Sequence, residues 1–275
     1  MFLTALAMIA FAGNSLLCRM ALKHTTIDPA TFTLIRVLSG AVALWLIVRM
    51  RSGSRVQGGS WPSAFALFAY AAAFSFAYVN LSAAMGALLL FGAVQATMIL
   101  VGLWRGERLS AGQNIGLVTA LGGLVALLLP GLSAPPLVSA LLMVGSGVAW
   151  GVYSLRGKGS GDPLAATTGN FLRAVPFAVI SSLVLLSTAR VDAQGIAYAI
   201  ASGALTSGVG YAIWYAALRG LTATNAATVQ LSVPVLAAIG GIILLAEPIT
   251  LRLFGASIAV LGGIALVVVR PKSGA

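Results

Sequence analysis

The residues able to do acid, base or nucleophilic chemistry are few in this chain and lie far apart. His24 is the sole histidine, Cys18 the sole cysteine, and the five acids are Asp28, Glu107, Asp162, Asp192 and Glu247. A Ser-His-Asp or Cys-His arrangement needs a base and its orienting acid brought to one nucleophile. A metal site needs several N, S or O ligands at suitable spacing. These seven residues offer neither, so no catalytic residue, metal site or cofactor is expected and an enzyme is an unfavoured reading. A single cysteine also excludes an internal disulfide and leaves the redox compartment undetermined.

Binding chemistry is better represented. Phe74 and Tyr78 are four residues apart, as are Tyr211 and Tyr215, so each pair shares one helical face. Flat amphipathic rings can stack on an aromatic or cationic solute while tyrosine hydroxyls hold its polar groups. The same rings also serve in helix packing or in an interfacial belt, and both readings stay open. Trp150 stands among glycines in GSGVAWGVYS, and small neighbours let a large ring approach a facing helix. Asn14 and Gln95 are the deepest side-chain amides of the apolar segments, followed by Asn170, Asn225 and Gln230. An amide in hydrocarbon turns either to a partner helix or to a wet cavity. The candidate substrate-binding set is therefore Asn14, Phe74, Tyr78, Gln95, Trp150, Tyr211 and Tyr215.

These residues must be positioned by membrane helices. Of the 275 residues 60% are hydrophobic and 8% charged, whereas an ordinary soluble domain carries roughly a quarter charged residues. Mean hydropathy is +1.03. A helical crossing takes about 20 apolar residues, and such runs recur at 3–22, 29–50, 62–81, 83–104, 110–130, 136–155, 164–187, 195–217, 222–246 and 250–269. The fold class expected is an all-α polytopic membrane protein of ten transmembrane helices. MFLTALAMIAFAGNSLL lacks a basic leading region and reads as a retained first span, not a cleaved signal.

The net charge of +11 would point to nucleic acid in a soluble protein. Here the bases lie singly or in short groups between apolar runs and read as topology signals. With the N-terminus inside, the cytoplasmic side receives Arg49, Arg51, Arg55, Arg105, Arg108, Arg156, Lys158, Arg219, Arg270 and Lys272. The other side receives Arg19, Lys23, Arg190 and Arg252. Both termini are thus expected in the cytoplasm, with a lipid bilayer and no nucleic acid as partner.

Two segments repeat. ERLSAGQNIGLVTALGGL at 107–124 matches EPITLRLFGASIAVLGGI at 247–264 with an offset of 140, pairing Glu107 with Glu247 and Gly122–Gly123 with Gly262–Gly263. Arg36 matches Arg173, Phe74 matches Tyr211 and Tyr78 matches Tyr215, all at an offset of 137. The chain divides into two five-helix halves, 1–132 and 133–275, and an odd helix number inverts the second against the first. Inverted repeats around a midplane site are a recurrent transporter architecture. Arg36, Glu107, Arg173 and Glu247 read as structural charges, with contact between an arginine and a substrate carboxylate left open. Pro176 and Pro234 are hinge candidates, the alternative being static kinks.

LSVPVLAAIGGIILLAEPITLRLFGASIAVLGGIALVV at 231–268 resembles the C-terminal repeat motif of the drug/metabolite transporter superfamily, EamA-like branch. The chain departs from that pattern where Val94–Gln95 stands in the place of Pro234–Val235, so the two halves need not bend alike. Compact size and aromatic-rich helices resemble the YddG-type exporters of aromatic amino acids. The resemblance implies a multi-pass inner-membrane protein with a central cavity lined by spans one, three, four, six, eight and nine, spans five and ten lying outermost. It implies alternating-access export of a small amphipathic solute, aromatic amino acids or related metabolites, for which a monomer would suffice. An intramembrane carboxylate is the usual proton carrier, and none of the acids lies inside a span, so facilitated diffusion or exchange is expected. The alternatives are a proton-coupled multidrug or cation exporter, and a non-transporting membrane scaffold or sensor.

Overall fold

Small polar residues start the helices. Ser60, Ser82 and Ser110 each accept a hydrogen bond from the backbone N–H three residues on, Asp162 and Asp192 cap in the same way, and Gln113 completes a capping box with Ser110. Each cap satisfies a donor that the first turn leaves without an intrahelical acceptor.

The computed structural model describes residues 2–52, 58–106, 108–131, 134–157, 161–221 and 223–268, with the side chains of residues 52, 223–225 and 227 also left aside. Its helical passes are α1 (Phe2–His24), α2 (Pro29–Ser52), α3 (Trp61–Tyr78), α4 (Ala83–Trp104), α5 (Ala111–Leu128), α6 (Leu137–Gly157), α7 (Pro163–Val184), α8 (Ala193–Leu218), α9 in two pieces (Ala223–Gln230 and Ser232–Leu245) and α10 (Leu251–Val268). Among the described residues, 8 helices can cross a membrane by length and composition, α3 and α7 standing outside that set. Both nevertheless pack lengthwise inside the bundle, α3 on α6 and α7 on α2. Glu107, one of the structural charges expected from the sequence, lies outside the described residues, as does the side chain of Asn225.

Helix contacts come in exchange-related pairs. α3 packs on α6 as α8 packs on α1, and α4 packs on α6 as α9 packs on α1. α2 faces α7 and α5 faces α10. The outer surface is apolar, with Ile115, Val118, Leu183, Ile243 and Ile258 exposed, as a hydrocarbon solvent requires.

The α5–α10 seam explains the two Gly-Gly pairs. A Cβ on Gly123 would lie 2.8 Å from that of Ala259, and one on Gly263 would lie 2.6 Å from the Ala120 nitrogen, whereas Gly122 and Gly262 have nothing within 4 Å. Only the second glycine of each pair faces the other helix, and its missing side chain lets the backbones touch. α8 carries a π-helical stretch, Ala201–Val209. α9 is interrupted at Leu231, three residues before Pro234. Proline lacks the N–H of an i→i−4 bond and its ring crowds the preceding turn; α4, with Val94 at the matching place, is continuous. α7 runs unbroken through Pro176.

At one end of the bundle two loops are stapled by aspartates. Asp28 accepts from the backbone of Ala30 and Thr31 at the start of α2 and, at 3.0 Å, from the N–H of Arg190 across the gap. Asp192 caps α8 through Gly195 and accepts from Thr26 N–H at 2.9 Å. Burial alone would raise the Asp28 carboxyl, but the Thr31, Arg190 and Ala30 donors outweigh it and hold the pKa below the ordinary 3.8.

Two expectations follow. Gly263→Leu overpacks the α5–α10 seam at a cost of about 1–3 kcal/mol, lowering the unfolding temperature in detergent, while Gly262→Leu leaves it unchanged; equal effects would refute the seam. A depressed folded-state pKa contributes stability above the unfolded value that is lost as pH falls through the folded one. The Asp28 staple should therefore weaken only below about pH 4, and Asp28→Asn should flatten that acid limb of the melting curve.

Candidate functional site

The site begins with how α6 is seated. Cβ atoms added at Gly147 and Gly151 would lie 2.6 Å from the Leu90 oxygen and 2.9 Å from Thr97 Cβ. That close glycine face holds α6 against α4 and presents the neighbouring Trp150 to the bundle interior. There Trp150 stacks on Tyr211, with centroids 5.4 Å apart and 16° between planes, and on Tyr153, at 5.2 Å and 28°. Tyr70 meets it at 4.8 Å, while Phe11 packs against Tyr211 and Trp214.

These rings wall a cavity of about 400 Å³, within the range of small-molecule sites. Its lining includes six of the seven candidates, Asn14, Phe74, Gln95, Trp150, Tyr211 and Tyr215. Residues come from α1, α3, α4, α6, α8 and α9, and also from α7 through Thr167 and Asn170. α5 and α10 contribute none. The cavity reaches Gly157 and Pro163, both exposed, where α6 ends and α7 begins.

Polar groups divide into paired and free ones. Asn14 is a spoke: its Nδ2 donates to the Tyr70 hydroxyl at 3.2 Å, and its Oδ1 accepts from Ser202 at 2.7 Å and Thr206 at 3.4 Å. Tyr215 and Thr167 share a hydrogen bond of 2.8 Å, and Asn170 accepts from Ser60 N–H. Gln95 is 6% exposed. Among the described residues its amide has no hydrogen-bond partner, which leaves it free for a solute. Arg173 donates to the Gly58 and Gly169 carbonyls, the structural solution. Arg36 donates to the Tyr70 hydroxyl at 2.9 Å and packs over Tyr70 and Phe74.

Tyr78 differs from the expectation for it. The side chain is fully buried, it is absent from the cavity lining, and its hydroxyl donates to the Ala83 carbonyl at 3.3 Å. Eight residues along α3 the chain has already left the cavity and entered the closed end. Glu247, expected as a structural charge, follows α9 in a loop and yet is only 7% exposed. Ala246 takes a left-handed conformation, φ 50°, which turns the chain inward at a cost of roughly 1–2 kcal/mol.

Glu247 then binds across the bundle. Arg19 Nε lies 2.8 Å from Oε1, the Ala83 N–H at the start of α4 donates to Oε2 at 2.7 Å, and Lys23 Nζ stands 4.0 Å away. Arg19 also donates at 2.8 Å to the carbonyls of both Tyr78 and Val79. One carboxylate thus ties α1, α3, α4 and α9 together and shuts the end opposite Gly157.

Sequence reasoning treated Arg19 only as a loop charge and overlooked Tyr70. Signals for both existed. Arg156 stands 137 residues after Arg19, the repeat offset, and Tyr70 is four residues before Phe74 on the same face.

Comparison with known proteins fits this architecture. Residues 137–269 match the model of the EamA-like transporter family. The chain is 60% identical to the uncharacterised protein PA1977 of Pseudomonas aeruginosa, over 97% of this chain and 93% of that one. It is 28% identical to an uncharacterised transporter of Archaeoglobus fulgidus, over 78% of this chain and 80% of that one. A protein of known crystal structure shares the fold with a TM-score of 0.66 at 18% identity, covering 96% of this chain and 94% of the other. A multi-pass helical bundle enclosing a solute-sized cavity accompanies these matches, and over residues 137–269 the chain is similar to the EamA-like transporter family.

Proposed function

We propose that the protein exports small amphipathic solutes, aromatic amino acids and related metabolites first among them, across the inner (cytoplasmic) membrane by alternating access. The observation that carries this reading is the aromatic-walled cavity, open at the Gly157 end and clamped at the Glu247 end. The excess of Lys and Arg at the first of these ends supports a cytoplasmic position for it, which makes this an inward-facing conformation in the proposed cycle. Trp150, Tyr211 and Tyr153 offer faces for a solute ring, and Gln95 offers an uncommitted amide.

Alternation requires the Glu247 clamp to open and the other end to close. The exchange-related helix contacts support two inverted halves, 1–132 and 133–275, moving against each other. The break before Pro234 and the in-helix proline Pro176 are where α9 and α7 would bend. No carboxylate lines the cavity among the described residues, which favours facilitated diffusion or exchange. Glu247 supports a second reading: as the buried acid of the clamp, its protonation would release Arg19 and couple opening to protons.

Proteoliposomes loaded with phenylalanine, tyrosine or tryptophan should show counterflow of the labelled amino acid, and absence of exchange for all three would sink the substrate proposal. Trp150→Ala should reduce it by up to about tenfold, since an aromatic contact is worth roughly 0.5–1.5 kcal/mol. Counterflow should survive a protonophore; its collapse would favour the proton-coupled reading. For the clamp, Glu247→Gln removes one partner of a buried pair, a loss of about 3–5 kcal/mol. In a Cys18→Ser background, Ser15→Cys should then react at least tenfold faster with a membrane-impermeant thiol reagent added outside, and an unchanged rate would show that the clamp does not hold the outer end shut.

A further inference from the structure

Arg36 is a buried cation without an acid. It is 2% exposed, and its Nη1 is buried with no hydrogen-bond partner. Its other contacts are the hydrogen bond to the Tyr70 hydroxyl and the ring faces of Phe74 and Tyr70, whose centroids lie 4.7 and 5.2 Å from Cζ. Rings attract a guanidinium through their quadrupole but do not neutralise it. The buried acid Glu247 is already committed to Arg19 and the Ala83 N–H. No ion pair to Arg36 exists among the described residues. The α1–α2–α3 side of the cavity therefore carries an uncompensated positive charge one layer behind its wall.

The Tyr70 hydroxyl brings that charge to the cavity surface. It accepts from Asn14 Nδ2 at 3.2 Å and from Arg36 Nη2 at 2.9 Å, which engages its oxygen as a double acceptor. Its own proton has no acceptor among the described residues, and Tyr70 lines the cavity. A hydroxyl that accepts from a cation is a stronger donor in its turn, and a donation to an anion is stronger than one to a neutral group. Asn14, also lining the cavity, is fixed beside it by Ser202 and Thr206. At this end of the cavity the structure has donors and positive charge, and no carboxylate lines it among the described residues.

We propose that this corner recognises the carboxylate of an aromatic or otherwise amphipathic solute, with Tyr70 as the contact and Arg36 as a positioning residue that supplies the charge behind it. The inference rests on the solute-export reading and narrows it: the cavity selects acids over amines of the same shape. A carboxylate on Tyr70 leaves the attached ring beside Trp150, whose centroid lies 4.8 Å from that of Tyr70.

The test uses 3-phenylpropionate and 2-phenylethylamine as probes, which share a ring and chain but differ in charge. Both are competed against phenylalanine counterflow and, independently, assayed for thermal stabilisation of the purified full-length protein. The acid should compete and stabilise at concentrations at least tenfold lower than the amine. Tyr70→Phe, which keeps the ring, should shrink this preference to within about threefold, as should Arg36→Met, while Arg36→Lys should restore it. Loss of activity with an unchanged acid-to-amine ratio in Tyr70→Phe would assign the pair a merely structural role and overturn the proposal, as would an amine that performs as well as the acid on the unsubstituted protein. If phenylalanine counterflow is absent while the acid still stabilises selectively, the transport substrate is wrong and the anion site stands; selective stabilisation by neither probe overturns the site.

Discussion

A carboxylate removed from water has to be matched by positive charge and hydrogen-bond donors, because its solvation is lost and little in an apolar interior replaces it. Glu247 meets that demand with Arg19, Lys23 and the Ala83 N–H, groups from two other helices. The donors need the carboxylate as much as it needs them. Ala83 begins α4, where a backbone N–H has no intrahelical acceptor, and Arg19 would otherwise sit nearly buried without a counter-ion. The left-handed Ala246 is tolerated because it delivers Glu247 to this point. These contacts gather α1, α3, α4 and the residue after α9 at the end of the bundle that the cavity does not reach.

The second constraint is close approach. Gly203 lies in the π-helical stretch of α8 against the Arg36 carbonyl and Ser39 hydroxyl of α2, where a Cβ would collide with both. A π stretch shifts side-chain register relative to an α-helix and often marks functional sites. Here it carries Ser202 and Thr206, which fix Asn14. Asn14 in turn reaches Tyr70, and Tyr70 reaches Arg36. The polar corner of the cavity is thus one connected network spanning α1, α2, α3 and α8, and each member takes its position from the next.

The resemblance between the halves does not make them equivalent. Gly123 and Gly263 play matching parts in one seam, and Arg36 and Arg173 occupy matching places. Yet Arg173 is satisfied by carbonyls while Arg36 has an orphan N–H, and α9 is broken where α4 is not. Phe74 and Tyr211 both line the cavity, but Tyr215 does so while its counterpart Tyr78 is sealed in the closed end. Inversion sets Tyr78 at the end the cavity does not reach and Tyr215 in the cavity wall, so corresponding residues experience different surroundings.

Local properties were readable without a structure. Most spans follow from apolar run length against bilayer thickness, a measure that 8 helices meet among the described residues, and shared helical faces follow from the 3.6-residue repeat. These quantities depend on near neighbours in the chain, so Asn14, Gln95, Trp150 and Tyr211 could be picked out as deep, polar or aromatic before any packing was known. What the tertiary structure decided was how each helix is rotated and what lies across from it. Tyr70 and Tyr78 occupy the same face of α3, eight residues apart, yet one lines the cavity and the other lies beneath it. Glu247, a loop residue by its flanking sequence, became a buried clamp by meeting Arg19, 228 positions away. No periodicity or composition carries such a contact, since it arises only when close-packed helices fix which side chains share one desolvated space.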